Sequence, residues 1–231
     1  MRNKILKRAF FATILSVGCA SSAFADSGDI AVGIKGGTLG LGGEVTVEIT
    51  PAFNARAGYN GYNFNGSTSN NSINYDYKLS LGSFPVLLDW YPFENSGFRL
   101  SPGVIFNNNK LSATGTSSQV LSYTIGGTTY TSTQIGFLTG TVDLNKTVPY
   151  LGFGWGNAVG KDSRLSFIFD LGVMFQGTPK VAINASNLQN NAPGVQSAIQ
   201  SSIDKEIADL KDTTDHLKYY PVVSIGLAYK F

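Results

Sequence analysis

The sequence predicts an all-β fold: an eight-stranded antiparallel transmembrane β-barrel with long extracellular loops and one short amphipathic helix in the last loop. Three observations lead there. The last thirteen residues, Tyr219 to Phe231, alternate Val223, Ile225, Leu227, Tyr229 and Phe231 against Ser224, Gly226, Ala228 and Lys230. That period of two marks a strand with two different faces, and the strand ends on an aromatic, as the closing strand of a membrane barrel does. Leu165 to Phe175 carries six apolar residues at alternate positions with no polar residue among them, as a lipid-facing strand requires. The even-numbered connections are all short turns, whereas of the odd-numbered ones the last two are long and the second moderate, the asymmetry of outer-membrane barrels.

The strands follow in order. The first is expected near Asp29 to Gly36, with Ile30, Val32 and Ile34 on one face, and Gly37 to Gly40 as a tight connection. The second covers about Leu41 to Thr50, where Val45, Val47 and Ile49 alternate with Glu44, Thr46 and Glu48, before a turn at Pro51. The third covers about Phe53 to Phe64, with Ala55, Ala57 and Tyr59 opposing Arg56, Gly58 and Asn60, and Gly66 to Ser72 reads as a polar loop. The fourth runs from about Ile73 to Tyr91. Its apolar set passes from Tyr75, Tyr77, Leu79 and Leu81 to Phe84, Val86, Leu88 and Trp90, a change of parity that predicts a bulge around Ser83 to Pro85. Pro92 to Ser96 form a turn, and the fifth strand covers about Gly97 to Leu111. Ser112 to Lys146 is a long insertion that predicts a hairpin on Gly126-Gly127. The sixth strand covers about Thr147 to Gly156 and the seventh Arg164 to Gln176. In the second long insertion, Gly177 to Lys218, the residues Val195, Ile199, Ile203, Ile207 and Leu210 recur at helical spacing after Pro193. The strand count puts both termini on the short-turn, periplasmic side.

Met1 to Ala25 has the parts of a secretory signal: Arg2, Lys4, Lys7 and Arg8, an apolar run from Ala9 to Val17, and the cleavage pattern Ala23-Phe24-Ala25. The expected division is a signal peptide over 1–25 and a barrel over 26–231. Cys19, the single cysteine, lies in the signal; Ser16 stands where a lipoprotein site needs an apolar residue. The mature chain therefore has no thiol chemistry. The formal charge of +2 comes from the signal: without its four positive residues, thirteen basic residues stand against fifteen acidic ones, a net of −2. No basic field points to a nucleic-acid partner.

Alternation assigns a set of lumen charges: Lys35, Glu44, Glu48, Arg56, Lys78, Asp89, Arg99, Asp170 and Lys230. Eight strands enclose only enough space for their own side chains. Charges of both signs in that space are expected to pair with one another; a charged track for zwitterionic or cationic solutes is the alternative. Gly152, Gly154 and Gly156 are not at a strand-to-helix junction, so they do not read as a phosphate loop; small inward residues make room for facing side chains. His216, the single histidine, sits beside Asp215 in a charged loop and no serine is singled out as a nucleophile for it. No enzyme, cofactor or metal site is expected. The expected partners are outer-membrane lipid, the barrel-assembly machinery through the C-terminal strand, and small solutes.

The stretches T-V-P-Y-L-G-F-G-W-G from Thr147, D-L-G-V-M-F-Q-G-T-P-K-V from Asp170, D-K-E-I-A-D-L from Asp204 and the closing Y-Y-P-V-V-S-I-G-L-A-Y-K-F are similar to the carbapenem-associated outer membrane protein family, the CarO-like small porin-like β-barrels. A-R-A-G-Y-N-G from Ala55 and D-W-Y-P-F from Asp89 are compatible with it. The resemblance covers nearly the whole mature chain. It implies an eight-stranded barrel in the outer membrane of a Gram-negative bacterium, porin-like and linked to entry of basic amino acids such as ornithine and of carbapenems. It brings no catalytic motif. The residues themselves leave open a closed structural or surface-interaction barrel without transport.

Overall fold

The structure, a computed structural model, describes residues 28–70, 73–117, 122–160, 163–214 and 218–231. The signal segment with Cys19, and His216, lie outside these residues. Eight strands close the barrel: β1 (Ile30–Gly37), β2 (Gly40–Thr50), β3 (Phe53–Asn70), β4 (Ile73–Trp90), β5 (Phe98–Asn107), β10 (Thr147–Trp155), β11 (Leu165–Phe175) and β13 (Tyr219–Lys230). Each pairs antiparallel with the next, and β13 returns to β1, from Ala31↔Lys230 to Gly37↔Ser224. Closure leaves no unpaired edge within the barrel itself.

The outer surface carries an apolar belt bounded by two aromatic girdles. Phe53 stacks on Trp90 and Phe98 meets Trp155 at the periplasmic end; Phe84 with Phe106 and Phe175 with Tyr219 mark the other. On β11, Leu165, Phe167, Phe169, Leu171, Val173 and Phe175 face outward, while Ile168, Asp170 and Met174 are buried inside.

A strand crosses a membrane in about 9–11 residues, yet β3 and β4 have 18 each. Their upper halves rise beyond the belt and recruit three further strands: β6 (Lys110–Ser117), β9 (Leu138–Asp143) and β12 (Lys180–Ala185). These prolong the barrel wall. Along β4, β5 and β6 share one register, from Ser83↔Asn107 to Ser80↔Lys110, across a break at Asn108-Asn109. β10 and β9 prolong each other in the same way beside them, Thr147↔Phe106 and then Asp143↔Lys110. Between β11 and β12 the chain slips by one residue relative to its neighbours.

A cap packs on this extension. The hairpin β7 (Ser122–Ile125) and β8 (Thr128–Thr131) turns on Gly126-Gly127, both at positive φ. Helix α1 (Ser132–Ile135) is capped by the Thr131 side chain, and α2 (Pro193–Thr214) follows later. Ile199 and Ile203 of α2 are buried with Tyr123, Ile125, Tyr130 and Ile135, against Leu138, Ile183 and Ala185 of the sheet. The apolar stripe expected from the sequence makes this contact, and α2, at 22 residues, is longer than the short helix expected.

Three sequence expectations are corrected. No bulge interrupts β4: its register with β3 holds from Phe53↔Trp90 to Asn70↔Ile73, and Pro85 only interrupts the ladder opposite Gly58 and Tyr59, where its missing N–H leaves a gap. The apolar residues change face because the surroundings change. Below the rim lipid lies outside; above it water lies outside and the cap lies inside. Of the expected loop Gly66 to Ser72, residues 66–70 are strand. Finally, β6, β9 and β12 occupy stretches read as loop, and the fifth strand ends at Asn107.

Candidate functional site

The lumen is filled in layers. At its centre six charges meet. Arg56 of β3 reaches across to Asp170 of β11, with Nη1 2.9 Å from Oδ2 and Nη2 3.0 Å from Oδ1, a bidentate fork. Its Nε lies 2.9 Å from Asp89 Oδ2, in ion contact but off the line of a hydrogen bond. Arg99 of β5 donates to Asp170 at 2.6 Å and to the carbonyl of Gly156. Lys35 holds Glu44 at 2.6 Å, and Glu44 is 3.5 Å from Arg56. Ser101 donates to Asp89 at 2.6 Å, and Ser224 to Asp170 at 3.4 Å. Three cations and three carboxylates sum to zero, and each is nearly excluded from water. Such a set is tolerable in a poorly hydrated interior only because every charge has partners.

Small residues make the room. A side chain on Gly152 or Gly172 would collide with the Tyr150 ring, and one on Gly154 would lie 3.0 Å from the Arg99 guanidinium.

Above the charges lies an apolar collar of Leu39, Leu87, Ile105, Val148, Tyr150, Met174 and Val222. Leu39 comes from the β1–β2 turn, which folds inward over the lumen. Between collar and charges is a cavity with about 20 Å³ of space, room for about one water. Below the charges, the β10–β11 turn tucks Ala158 and Val159 against Ala31, Ile168 and Ala228, and Asn54 donates to Asn157 at 3.1 Å. Tyr91, in the turn beneath β4, is buried, which pushes its hydroxyl up to about 12 and keeps it neutral. At the rim, Asn107 donates to Gln176 at 3.1 Å and Asn109 accepts from the Gly82 N–H at 2.9 Å. These amides bridge the places where the wall strands break.

Of the nine charges assigned to the lumen, Lys35, Glu44, Arg56, Asp89, Arg99 and Asp170 come together in this network. Lys230 faces the periplasmic mouth and binds Asp29 at 2.8 Å. Glu48 is half-buried at the lower end of β2, apart from the network. Lys78 is misassigned: it is exposed on the outer face of the extension, where β4 pairs Asn65 and Ser112. Its parity is that of Val86 and Leu88, the outward set, and the expected bulge had reversed it. The Asn107, Asn109 and Gln176 amides were missed; the only sequence signal was the run Asn107-Asn108-Asn109 between two alternating segments.

A closed barrel of eight antiparallel strands, apolar outside and charged within, with aromatic girdles at both ends, defines an outer-membrane β-barrel. Solved structures that share this fold include two from Acinetobacter baumannii. Acinetobacter baumannii CarO2 is 21% identical with a TM-score of 0.55, over 88% of this chain and 98% of that one. Acinetobacter baumannii CarO is 20% identical with a TM-score of 0.50, over 87% and 97%. The likeness is one of fold. No family model and no curated protein matches the chain.

Proposed function

We propose that this protein is a closed outer-membrane barrel that anchors and displays an extracellular sheet-and-helix cap, with no steady pore. The observation that carries the reading is the neutral six-charge network around Arg56, Asp170 and Arg99, held between two apolar layers. Each layer alone obstructs a path through eight strands. The apolar belt is the surface for outer-membrane lipid, and Tyr219 to Phe231 is the segment for the barrel-assembly machinery to read.

Slow permeation of small solutes is the second reading. The cavity beneath the collar favours it, because Lys35, Arg56 and Asp170 present both signs of charge to one space. The family resemblance adds basic amino acids and carbapenem-like compounds as solutes. Planar-bilayer recording of the purified protein separates the two readings. The wild type is expected to give no steady conductance, and Glu44→Ala with Arg99→Ala to leak if the barrel assembles. A stable, large wild-type conductance unaffected by those changes would overturn the closed lumen. Uptake of ornithine into liposomes by the wild type, without conductance, would favour the second reading.

A further inference from the structure

The extension sheet has two open edges, and they are built differently. The β12 edge is six residues long, follows Pro179, begins with Lys180 and belongs to the strand against which α2 packs. A short strand with a proline and a lysine is how proteins block unwanted pairing. The other edge belongs to β3. β2 ends at Gly40, and its last partners on β3 are Leu41↔Gly61. Above Gly61, β3 continues for nine residues, Tyr62–Asn70, and no strand among the described residues pairs its free side. This stretch, Y-N-F-N-G-S-T-S-N, holds no charge and no proline, and its register with β4 is unbroken. It lacks the protections that the β12 edge has.

The phase of the free edge follows from the ladder. The Tyr91 N–H donates to Ala52 O at 2.9 Å, in the register β3 and β4 keep to their upper ends. Even-numbered β3 residues therefore bond β4, and the backbone groups of Asn63, Asn65 and Ser67 point to the open side. On the adjoining inner face, Tyr62 and Phe64 remain 50% and 46% exposed beside Tyr77 and Leu79, where the cap does not reach. The outer face carries Asn63, Asn65 and Ser67.

We propose that the upper edge of β3 is a docking site for an extended segment of another polypeptide, which pairs antiparallel to β3 and so continues the ladder that β2 leaves at Gly61. The partner is an alternating strand, apolar toward Tyr62 and Phe64 and polar outward. Main-chain bonds give affinity in such strand addition, and alternate side chains give selectivity. A second copy in the same membrane does not fit. A two-fold axis along the membrane normal makes the facing β3 strands parallel and in phase, so each N–H meets an N–H. The site rests on the reading of the extension as a displayed surface, but not on whether the lumen conducts.

The test is backbone amide exchange on the full chain in nanodiscs, with the probe peptide acetyl-Lys-Thr-Val-Thr-Tyr-Thr-Val-Lys-amide. Exchange at Asn63, Asn65 and Ser67 is expected to slow about tenfold at nine-tenths occupancy, with little change at Phe64 and Gly66, already bonded to β4. Asn65→Pro removes one free-edge N–H and should abolish the effect, while Asn65→Thr keeps it. The same peptide N-methylated at alternate amides should fail on the wild type, which tests the site even if Asn65→Pro does not assemble. Unchanged exchange at those three amides with the probe in excess would overturn the proposal. So would equal protection by the methylated peptide, or protection that appears without peptide as protein concentration rises. Bilayer conductance of the same sample reports separately on the closed lumen.

Discussion

The barrel has a tall wall and a low wall, and the two record the membrane differently. On the tall side, β3, β4, β5–β6, β10–β9 and β11–β12 run past the membrane into the extension. Apolar residues face out below the rim and in above it: Val86 and Leu88 against Leu79 and Leu81 on β4, Val104 and Phe106 against Leu111 on the next strand. On the low side, β13, β1 and β2 stop at the rim, and their apolar face never changes. Alternation therefore tells which face is apolar, but only the medium tells which face is outside. A strand that passes from lipid to water must swap parity without any irregularity in its backbone.

The largest expected effect lies where the tall wall braces itself. Asp170 serves both Arg56 and Arg99, all three on tall-wall strands. Asp170→Ala leaves two buried guanidiniums short of a counter-charge, and breaking a buried pair in this way costs about 3–5 kcal/mol. The low wall's Lys35→Ala removes a charged hydrogen bond worth about 1.5–3 kcal/mol, since Glu44 keeps Arg56. Urea unfolding in detergent micelles measures both. Equal losses would mean that the network is not centred on Asp170.

The cap offers the next effect. Ile203 is fully buried between α2 and the β7–β8 hairpin. Ile203→Ala should cost about 2–5 kcal/mol, confined to the cap. Limited proteolysis should then cut α2 or the hairpin while the heat-modifiable migration of the barrel on gels stays unchanged. Loss of both together would make the tall wall and its cap one cooperative unit.

How much of this was legible depended on the wall. The low-wall strands and β11 read directly from their alternation, because each has one lipid face and one lumen face from end to end. Leu165 to Phe175 is the clearest case, and the α2 stripe is legible too from Val195 to Ile207, the part that packs in the cap. In the tall wall the same rule misled. The parity change on β4 has the sequence pattern of a bulge at Ser83 to Pro85, and a bulge there would put Lys78 inside. The strands β6, β9 and β12 escaped notice because Thr, Ser and Gly dilute their alternation, although Leu111-Ser112-Ala113 and Val181-Ala182-Ile183 carry it. The charges were assignable to the lumen by face, but their partners were not. Arg56 and Asp170 are 114 positions apart, and only barrel closure brings them together.

The boundary between lipid and water can be tested on one strand and one face. Leu88 and Ser80 both point outward from β4, Leu88 in the belt and Ser80 above the rim. An arginine facing lipid costs roughly 2–4 kcal/mol near the bilayer centre and about 0–1 near an interface. Leu88→Arg should therefore lower folding yield into liposomes, whereas Ser80→Arg should fold as the wild type does. If Ser80→Arg were as damaging, the membrane would extend over the upper half of β4 and the parity swap would need another cause.

The smallest effect belongs to the lip of the low wall. The β1–β2 turn is strapped to β13 through one residue. The Thr38 N–H donates to Val223 O at 3.0 Å, its hydroxyl donates to Pro221 O at 3.1 Å and accepts from the Val223 N–H at 3.1 Å, and Tyr220 donates its hydroxyl to Thr38 O at 2.7 Å. The strap holds Leu39, the next residue, down in the collar over the lumen. Tyr220→Phe removes one of these bonds at an exposed site and should cost about 0.5–1.5 kcal/mol. The loss is local, so global unfolding should barely move while amide exchange at Thr38 and Leu39 quickens. Unlike the tall wall, whose rim is tied by buried amides, the low lip is then the part of the mouth most easily lifted. Faster exchange at Asn107 and Asn109 in the same variant, with none at Thr38, would place the weak point on the opposite wall.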